Sequence, residues 1–99
     1  MDTEPSEKAK NADLILVNIV EALVREKTAK LIKTIDMCQC ETCYLNACAI
    51  VLNTRDPLYV TTKRGALLSR IPTINYTYQT DLTVEILKAL MIVKDSPRH

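Results

Sequence analysis

The chain is short, nearly neutral and rich in aliphatic residues. Its 99 residues carry a formal net charge of +1, and 47% of them are hydrophobic, with one glycine and neither tryptophan nor phenylalanine. This composition excludes a largely disordered protein, and the balance of 13 basic and 12 acidic residues excludes the basic surface of a general nucleic-acid-binding protein. With no secretory signal pattern and no apolar run of about eighteen residues, we expect a soluble, cytoplasmic protein that binds neither bulk nucleic acid nor membrane.

The N-terminal part is predicted to contain a flexible lead-in followed by a long helix. Residues 1–12 are polar and charged, so we expect them to lie outside a single domain that spans residues 13–99. Asp13 is a suitable helix cap, and the helix should run to about Asp36, because apolar residues recur three and four positions apart. These residues are Leu16, Ile19, Val20, Leu23, Val24, Leu31 and Ile35.

The same helix is predicted to have a second apolar face. Ile15, Val17 and Ala22 would form it, and a chain this short has too little core to cover two apolar faces. We therefore expect a homodimer, with the first and last helices at the interface.

Two further helices are predicted in the second half of the chain. The first extends from the cysteine-rich segment to about Asn53 and is apolar almost all round, which indicates a central position. The last covers residues 76–93 before Pro97, and a short strand within residues 73–80 remains an alternative. Residues 66–70 have room for one or two helical turns before Pro72. The predicted fold is mainly α, a small compact bundle of about four helices with a cysteine-rich metal turn between the first two helices.

Every cysteine of the chain lies within one short segment. Cys38, Cys40 and Cys43 follow each other in a C-x-C-x-x-C pattern, which places three soft sulfur ligands on a tight turn. Zinc is the first candidate for such a set. Unligated reduced thiols, a Cys40-x-x-Cys43 redox pair and an iron–sulfur cluster remain alternatives.

The fourth cysteine does not fit the same ion. If Cys48 lies in the helix that follows, it is rotated by roughly 140° from Cys43 and lies about 7.5 Å further along the axis. We therefore interpret Cys48 as a small buried residue of the helix. The one histidine, His99, is the candidate fourth ligand of a Cys3His zinc site, although a terminal histidine is often frayed.

Polar and charged side chains are concentrated in the segment from Asn53 to Gly65. Pro57 keeps the residue before it out of helical angles, so the segment is expected to be a loop. It carries donors and an aromatic ring that are able to contact an anionic ligand, namely Asn53, Arg55, Tyr59, Thr61, Thr62, Lys63 and Arg64. The alternative is that the loop only connects two helices and that its polar groups serve the turn.

Taken together, these features resemble the late competence protein ComFB family. The resemblance rests on four segments in this order: Cys38-x-Cys40-x-x-Cys43, Ala49-Ile50-Val51-Leu52-Asn53, Pro57-Leu58-Tyr59-Val60-Thr61 and Pro97-Arg98-His99. The family usually has Leu-Pro where this chain has Arg55-Asp56, and often an aspartate at the position of Asn46. The resemblance implies a small, mainly helical, dimeric bacterial protein that binds zinc through these cysteines. It also implies a link to competence, motility or cell-size control, with cyclic dinucleotide receptors among the members. A cyclic dinucleotide bound across the dimer is then expected to contact the donors and the aromatic ring of the segment from Asn53 to Gly65.

Neither the residues nor the resemblance indicates catalysis. The histidine is terminal, no nucleophile has a visible base, and one glycine cannot form a phosphate-binding loop. Asp81 and Glu85 lie four positions apart on one predicted helix, a spacing typical of solvated carboxylates. Three binding functions remain: a cyclic dinucleotide receptor, a protein-interaction adaptor with a structural zinc site, and a metal-dependent redox or regulatory sensor.

Overall fold

The computed structural model describes residues 14–63 and 76–97. In these ranges the chain forms a two-stranded sheet and three α-helices, with a 3-10 turn after the first helix. In chain order the elements are β1 (Leu14–Asn18), α1 (Ile19–Leu31), the 3-10 turn (Ile32–Thr34), α2 (Glu41–Leu52), β2 (Tyr59–Thr62) and α3 (Tyr76–Asp95).

The first helix begins later than its periodicity predicts. Asn18 is the cap in place of Asp13, and its Oδ1 accepts hydrogen bonds from the backbone N–H of Val20 at 3.1 Å and of Leu58 at 2.9 Å. One side chain therefore both starts α1 and holds the segment that leads into β2. The helix ends at Leu31 and continues only as the 3-10 turn to Thr34, short of the predicted Asp36.

The residues before Asn18 form a strand because they have a partner far along the chain. β1 runs antiparallel to β2, with Val17 opposite Val60, Asn18 opposite Tyr59, and a register shift between Leu14 and Val17. The prediction of helix for this segment is therefore wrong, and β2 lies within the segment that was expected to be only a loop. Because successive side chains of a strand point to opposite faces of the sheet, exposed and half-buried residues alternate along β2.

The three helices meet in one aliphatic core. α2 buries Cys43, Ala47, Cys48 and Val51, while α3 buries Leu82, Ile86, Ala89, Leu90 and Val93. These positions recur at three and four residues, so each helix presents one continuous apolar stripe to the others. The helical nature of residues 76–93 is confirmed. α2 packs against both α1 and α3, in agreement with the central position predicted for it. Residues 66–70 and 73–75, with the predicted short helix and part of the alternative strand, lie outside the described residues.

The outer face of α1 is charged rather than apolar. Its exposed residues include Glu21 and Arg25, which approach to 3.7 Å, and Glu26 and Lys30, which approach to 4.0 Å. The second apolar face predicted for this helix is absent, because Ile15 and Val17 belong to β1. Large exposed apolar side chains lie instead on β1, α2 and α3, among them Leu16, Leu45, Val84, Met91 and Ile92. None of the helices within the described ranges has both the length and the apolar character required to span a membrane.

Candidate metal centre

Three cysteine thiols converge where the chain enters α2. The Sγ atoms of Cys38, Cys40 and Cys43 all lie within 4.8 Å of one another. Cys40 is the N-cap of α2 and Cys43 lies in its first turn, so the helix itself places these two thiols on one side. Cys38 joins them from the bend that precedes the helix. The predicted cluster is therefore brought together by local chain geometry.

The cluster fits a tetrahedral thiolate site. Sulfur atoms that share one zinc ion at about 2.3 Å lie about 3.8 Å from each other, so the three thiols need to approach by at most about 1 Å. Within the described ranges this is the one group of three or more histidine, cysteine or acidic residues with the spacing of metal ligands. These residues fit a zinc ion, for which they supply three of four ligands.

The three thiols differ in exposure and in acidity. Cys38 and Cys40 are exposed, whereas Cys43 is 1% exposed. The nearby backbone N–H of Cys43 lowers the pKa of the Cys40 thiol below its usual value. Burial, together with the neighbouring thiols of Cys38 and Cys40, raises the pKa of the Cys43 thiol to about 12. A metal that binds here must therefore displace the proton of the Cys43 thiol. Metal binding is thus accompanied by proton release.

The fourth cysteine stays apart from the cluster, as predicted. Cys48 is 3% exposed in the core between α1 and α2, and burial raises the pKa of its thiol. Its polar neighbours are the hydroxyl groups of Thr28 and Tyr44. Tyr44 in turn donates a hydrogen bond of 3.1 Å to the backbone carbonyl of Arg25. Cys48 is thus a core residue of the helix–helix contact. His99, the predicted fourth ligand, lies outside the described residues.

Two of the residues predicted to bind a nucleotide have structural partners. Asn53 closes α2, where its backbone N–H donates to the carbonyl of Ala49 at 3.0 Å. Arg55 donates from Nε to Oε1 of Glu85 at 2.6 Å, and its guanidinium lies 5.1 Å from the centroid of the Tyr78 ring. The Arg55 side chain is only 17% exposed. Through Glu85, the Arg55 side chain connects the turn after α2 to α3, so it is not a free cation of a loop.

The other predicted nucleotide-binding residues follow the alternation of β2. Tyr59, Thr61 and Lys63 are exposed, whereas Thr62 is half-buried. Arg64 lies outside the described residues. Tyr59 also borders an open cavity of about 480 Å³ whose other lining residues come from β1 and α1: Leu16, Val17, Asn18, Glu21, Ala22 and Arg25. No pattern in the sequence indicates this neighbourhood, because the register of β1 against β2 creates it.

A family comparison and a structural comparison with known proteins lead to the same family. The family described as late competence development protein ComFB matches residues 17–97. A solved structure, titled as the structural characterization of the late competence protein ComFB from Bacillus subtilis, is 25% identical in sequence, with a TM-score of 0.76. That match covers 85% of this chain and 93% of the other. A search of curated proteins finds no significant match. Because the family match extends from β1 to the last described residue, the chain belongs to the ComFB family.

Proposed function

We propose that this chain is a zinc-binding, non-enzymatic regulatory protein of the ComFB type that acts in the cytoplasm, in late competence or motility, by binding other molecules. The observation that carries the proposal is the set of three thiols within 4.8 Å of one another. Family membership supports the regulatory role, since the family is described by late competence development. The sequence supports a non-catalytic role, since no serine or cysteine nucleophile has a visible base and one glycine cannot form a phosphate-binding loop.

The zinc ion would serve as a clamp between two parts of the fold. Cys38 lies on the segment that leaves α1, whereas Cys40 and Cys43 belong to the start of α2. An ion held by all three fixes the direction in which α2 leaves this bend. Such a clamp matters in a small chain, where the core alone supplies modest stability. When bound, zinc supplies this cross-link and no reaction step.

We assign the fourth ligand to His99. The last turns of α3, at Ile92 and Ser96, line a cavity with the part of α2 from Asn46 to Asn53, so the C-terminal end of α3 runs along α2. The proposal is supported by the suitability of imidazole for a Cys3His site and by the presence of a single histidine in the sequence.

A substitution at the terminus tests this ligand. His99→Ala is expected to weaken zinc binding by at least about ten- to a hundredfold, the loss that follows removal of even a supporting partner of a ligand. Competition with a chromophoric zinc chelator measures the affinity. Arg98→Ala, at the adjacent residue, should leave the affinity unchanged. An unaltered affinity in His99→Ala would show that another group occupies the fourth position.

The protein is also proposed to be a homodimer. The support is the set of large exposed apolar side chains on α3, namely Val84, Met91 and Ile92, in a chain with little core of its own. The charged outer face of α1 argues against that helix as the centre of the interface. Light scattering at micromolar concentration should give twice the chain mass of 11.2 kDa. A mass equal to one chain would contradict the dimer.

A cyclic dinucleotide receptor is the second candidate function. The observation in its favour is the exposure of Tyr59 and Thr61 on one side of β2 and of Lys63 directly after the strand, which offer an aromatic ring, a hydroxyl and a cation. Against it stands Arg55, whose charge is already matched by Glu85. The adaptor function therefore has the stronger support, and the nucleotide would be an additional ligand.

Calorimetry with cyclic di-GMP and cyclic di-AMP separates these functions. If the receptor function holds, Lys63→Ala should weaken binding about tenfold or more, because it removes a charge-assisted contact worth roughly 1.5 to 3 kcal/mol. Lys88→Ala, an exposed lysine on α3, is the matched control and should bind as the parent does. Absence of saturable binding of either nucleotide to the zinc-loaded protein would leave the protein-interaction adaptor as the function.

A further inference from the structure

We propose that Cys40 and Cys43 form an oxidisable dithiol, which a two-electron oxidant of the peroxide class converts to a disulfide and thereby ejects the metal. Formation of the disulfide depends only on the two thiols. Ejection of the metal rests on the proposed zinc function. The cysteine cluster would then report the redox state of its surroundings as well as hold the fold.

The position of the two thiols in the helix carries this inference. Cys40 is the N-cap of α2 with an extended backbone, and Cys43 follows three residues later in the first turn. Residues at this spacing lie on the same side of a helix, and the two Sγ atoms are within 4.8 Å of each other. A rotation of the side chains is enough to bring them to bonding distance, so the backbone of α2 need not move.

The two thiols also differ in solvent exposure, as expected for a thiol that is oxidised first and a partner that forms the disulfide. Cys40 is exposed, so a small oxidant in solvent reaches it first. Cys43 is 1% exposed, so it is shielded from the oxidant but remains within reach of Cys40. A buried partner next to an exposed thiol captures the first oxidation product before it is oxidised further.

The other two cysteines are poorer partners. Cys38 is separated from Cys40 by a single residue, so a disulfide between them would close a ring of only three residues, which strains the bond. Cys48 is buried in the core and lies outside the group of converging thiols. A bond from Cys38 to Cys43 is the competing product, and the experiment below distinguishes it.

The chemistry balances with one equivalent of peroxide. The Cys40 thiolate attacks one peroxide oxygen, the O–O bond breaks, and hydroxide leaves, which gives Cys40 sulfenic acid. The Cys43 sulfur then attacks the Cys40 sulfur, the S–S bond forms, the S–O bond breaks, and hydroxide departs and takes up the Cys43 proton as water. The two sulfurs together lose two electrons, and the peroxide gains them. Of the proposed ligands only the Cys38 thiol and the His99 imidazole remain, and two ligands are too few to complete a tetrahedral zinc site.

Digestion after Glu41 provides a direct readout, because that residue separates Cys40 from Cys43 in the sequence. The full-length zinc-loaded protein is treated with one equivalent of hydrogen peroxide, zinc release is followed with a chromophoric chelator, and the digest is analysed by mass spectrometry. We expect bound zinc to fall from about one per chain to near zero, as for a site with two remaining ligands. We also expect the peptides on the two sides of Glu41 to become linked with the loss of two hydrogens.

Three variants define the pair. Cys38→Ser retains the dithiol, so its two peptides should still become linked. Cys43→Ser removes the buried partner, so no link should form, and with excess peroxide Cys40 should proceed beyond sulfenic acid to sulfinic acid. Cys48→Ala should behave as the parent protein.

Each possible result decides one of the two proposals. Loss of the link in Cys38→Ser, or no link at all in the metal-free parent protein, overturns the dithiol. A chain that forms the Cys40–Cys43 link but never holds zinc leaves the dithiol standing and removes the proposed zinc function. A chain that holds zinc but forms no link overturns the dithiol and leaves the proposed zinc function standing.

Discussion

Cys43→Ala is expected to abolish zinc retention and to cause a large loss of stability. Structural zinc ions contribute about 10 to 16 kcal/mol to the folding of small zinc-binding peptides, whereas whole domains are stable by only about 5 to 15 kcal/mol. Loss of one ligand therefore removes an interaction comparable with the entire stability of the chain. Elemental analysis should show the change from about one zinc per chain to none. Thermal unfolding followed by circular dichroism should show a melting temperature far below that of the parent.

Cys48→Ala is the matched control for this variant. Both cysteines are buried on α2, at 1% exposure for Cys43 and 3% for Cys48, so both substitutions remove one sulfur from the interior. The second should cost only the packing of that sulfur, about 1 kcal/mol, and should leave the zinc content unchanged. Equal losses of stability and zinc in the two variants would mean that the three-thiol cluster has been assigned wrongly.

Ile86→Ala is expected to destabilise the fold by about 2 to 5 kcal/mol, because it leaves a cavity at a fully buried position. Ile86 is 0% exposed, in the middle of the apolar stripe of α3. For a chain of this size each kcal/mol shifts the melting temperature by roughly 4 to 8 °C. Urea denaturation should show a lower midpoint with an unchanged dependence on denaturant concentration.

Ile92→Ala is the control on the same helix. Ile92 is 55% exposed, so the same truncation should change the free energy of unfolding by no more than about 0.5 kcal/mol. A loss at Ile92 that depends on protein concentration would place this residue in the dimer interface. A loss at Ile86 no larger than that at Ile92 would contradict the packing of α3 described above.

The parts of the fold that depend on local sequence were predicted correctly. The periodicity of α2 and α3 is long enough to identify each helix, and the thiols of Cys38, Cys40 and Cys43 converge because they are adjacent along the chain. The separate role of Cys48 followed from helix geometry alone, and the structure confirms it.

The errors arose where distant residues decide the local structure. Leu14–Asn18 has an apolar pattern that suits either a helix or a strand, and its pairing with Tyr59–Thr62 selects the strand. Arg55 looks like a free cation in the sequence, but its partner Glu85 lies 30 residues away on another helix. No spacing within either segment indicates these contacts, because they exist only once the helices have packed.

The coordination of the metal is the central claim, and X-ray absorption at the zinc edge of the purified full-length protein tests it most directly. The proposed Cys3His site predicts three sulfur neighbours at about 2.3 Å and one nitrogen neighbour at about 2.0 to 2.1 Å. Four sulfur neighbours would require Cys48 to leave the core or a thiol from outside the chain to bind. A zinc ion without sulfur neighbours would place the metal away from Cys38, Cys40 and Cys43 and would contradict the proposed site.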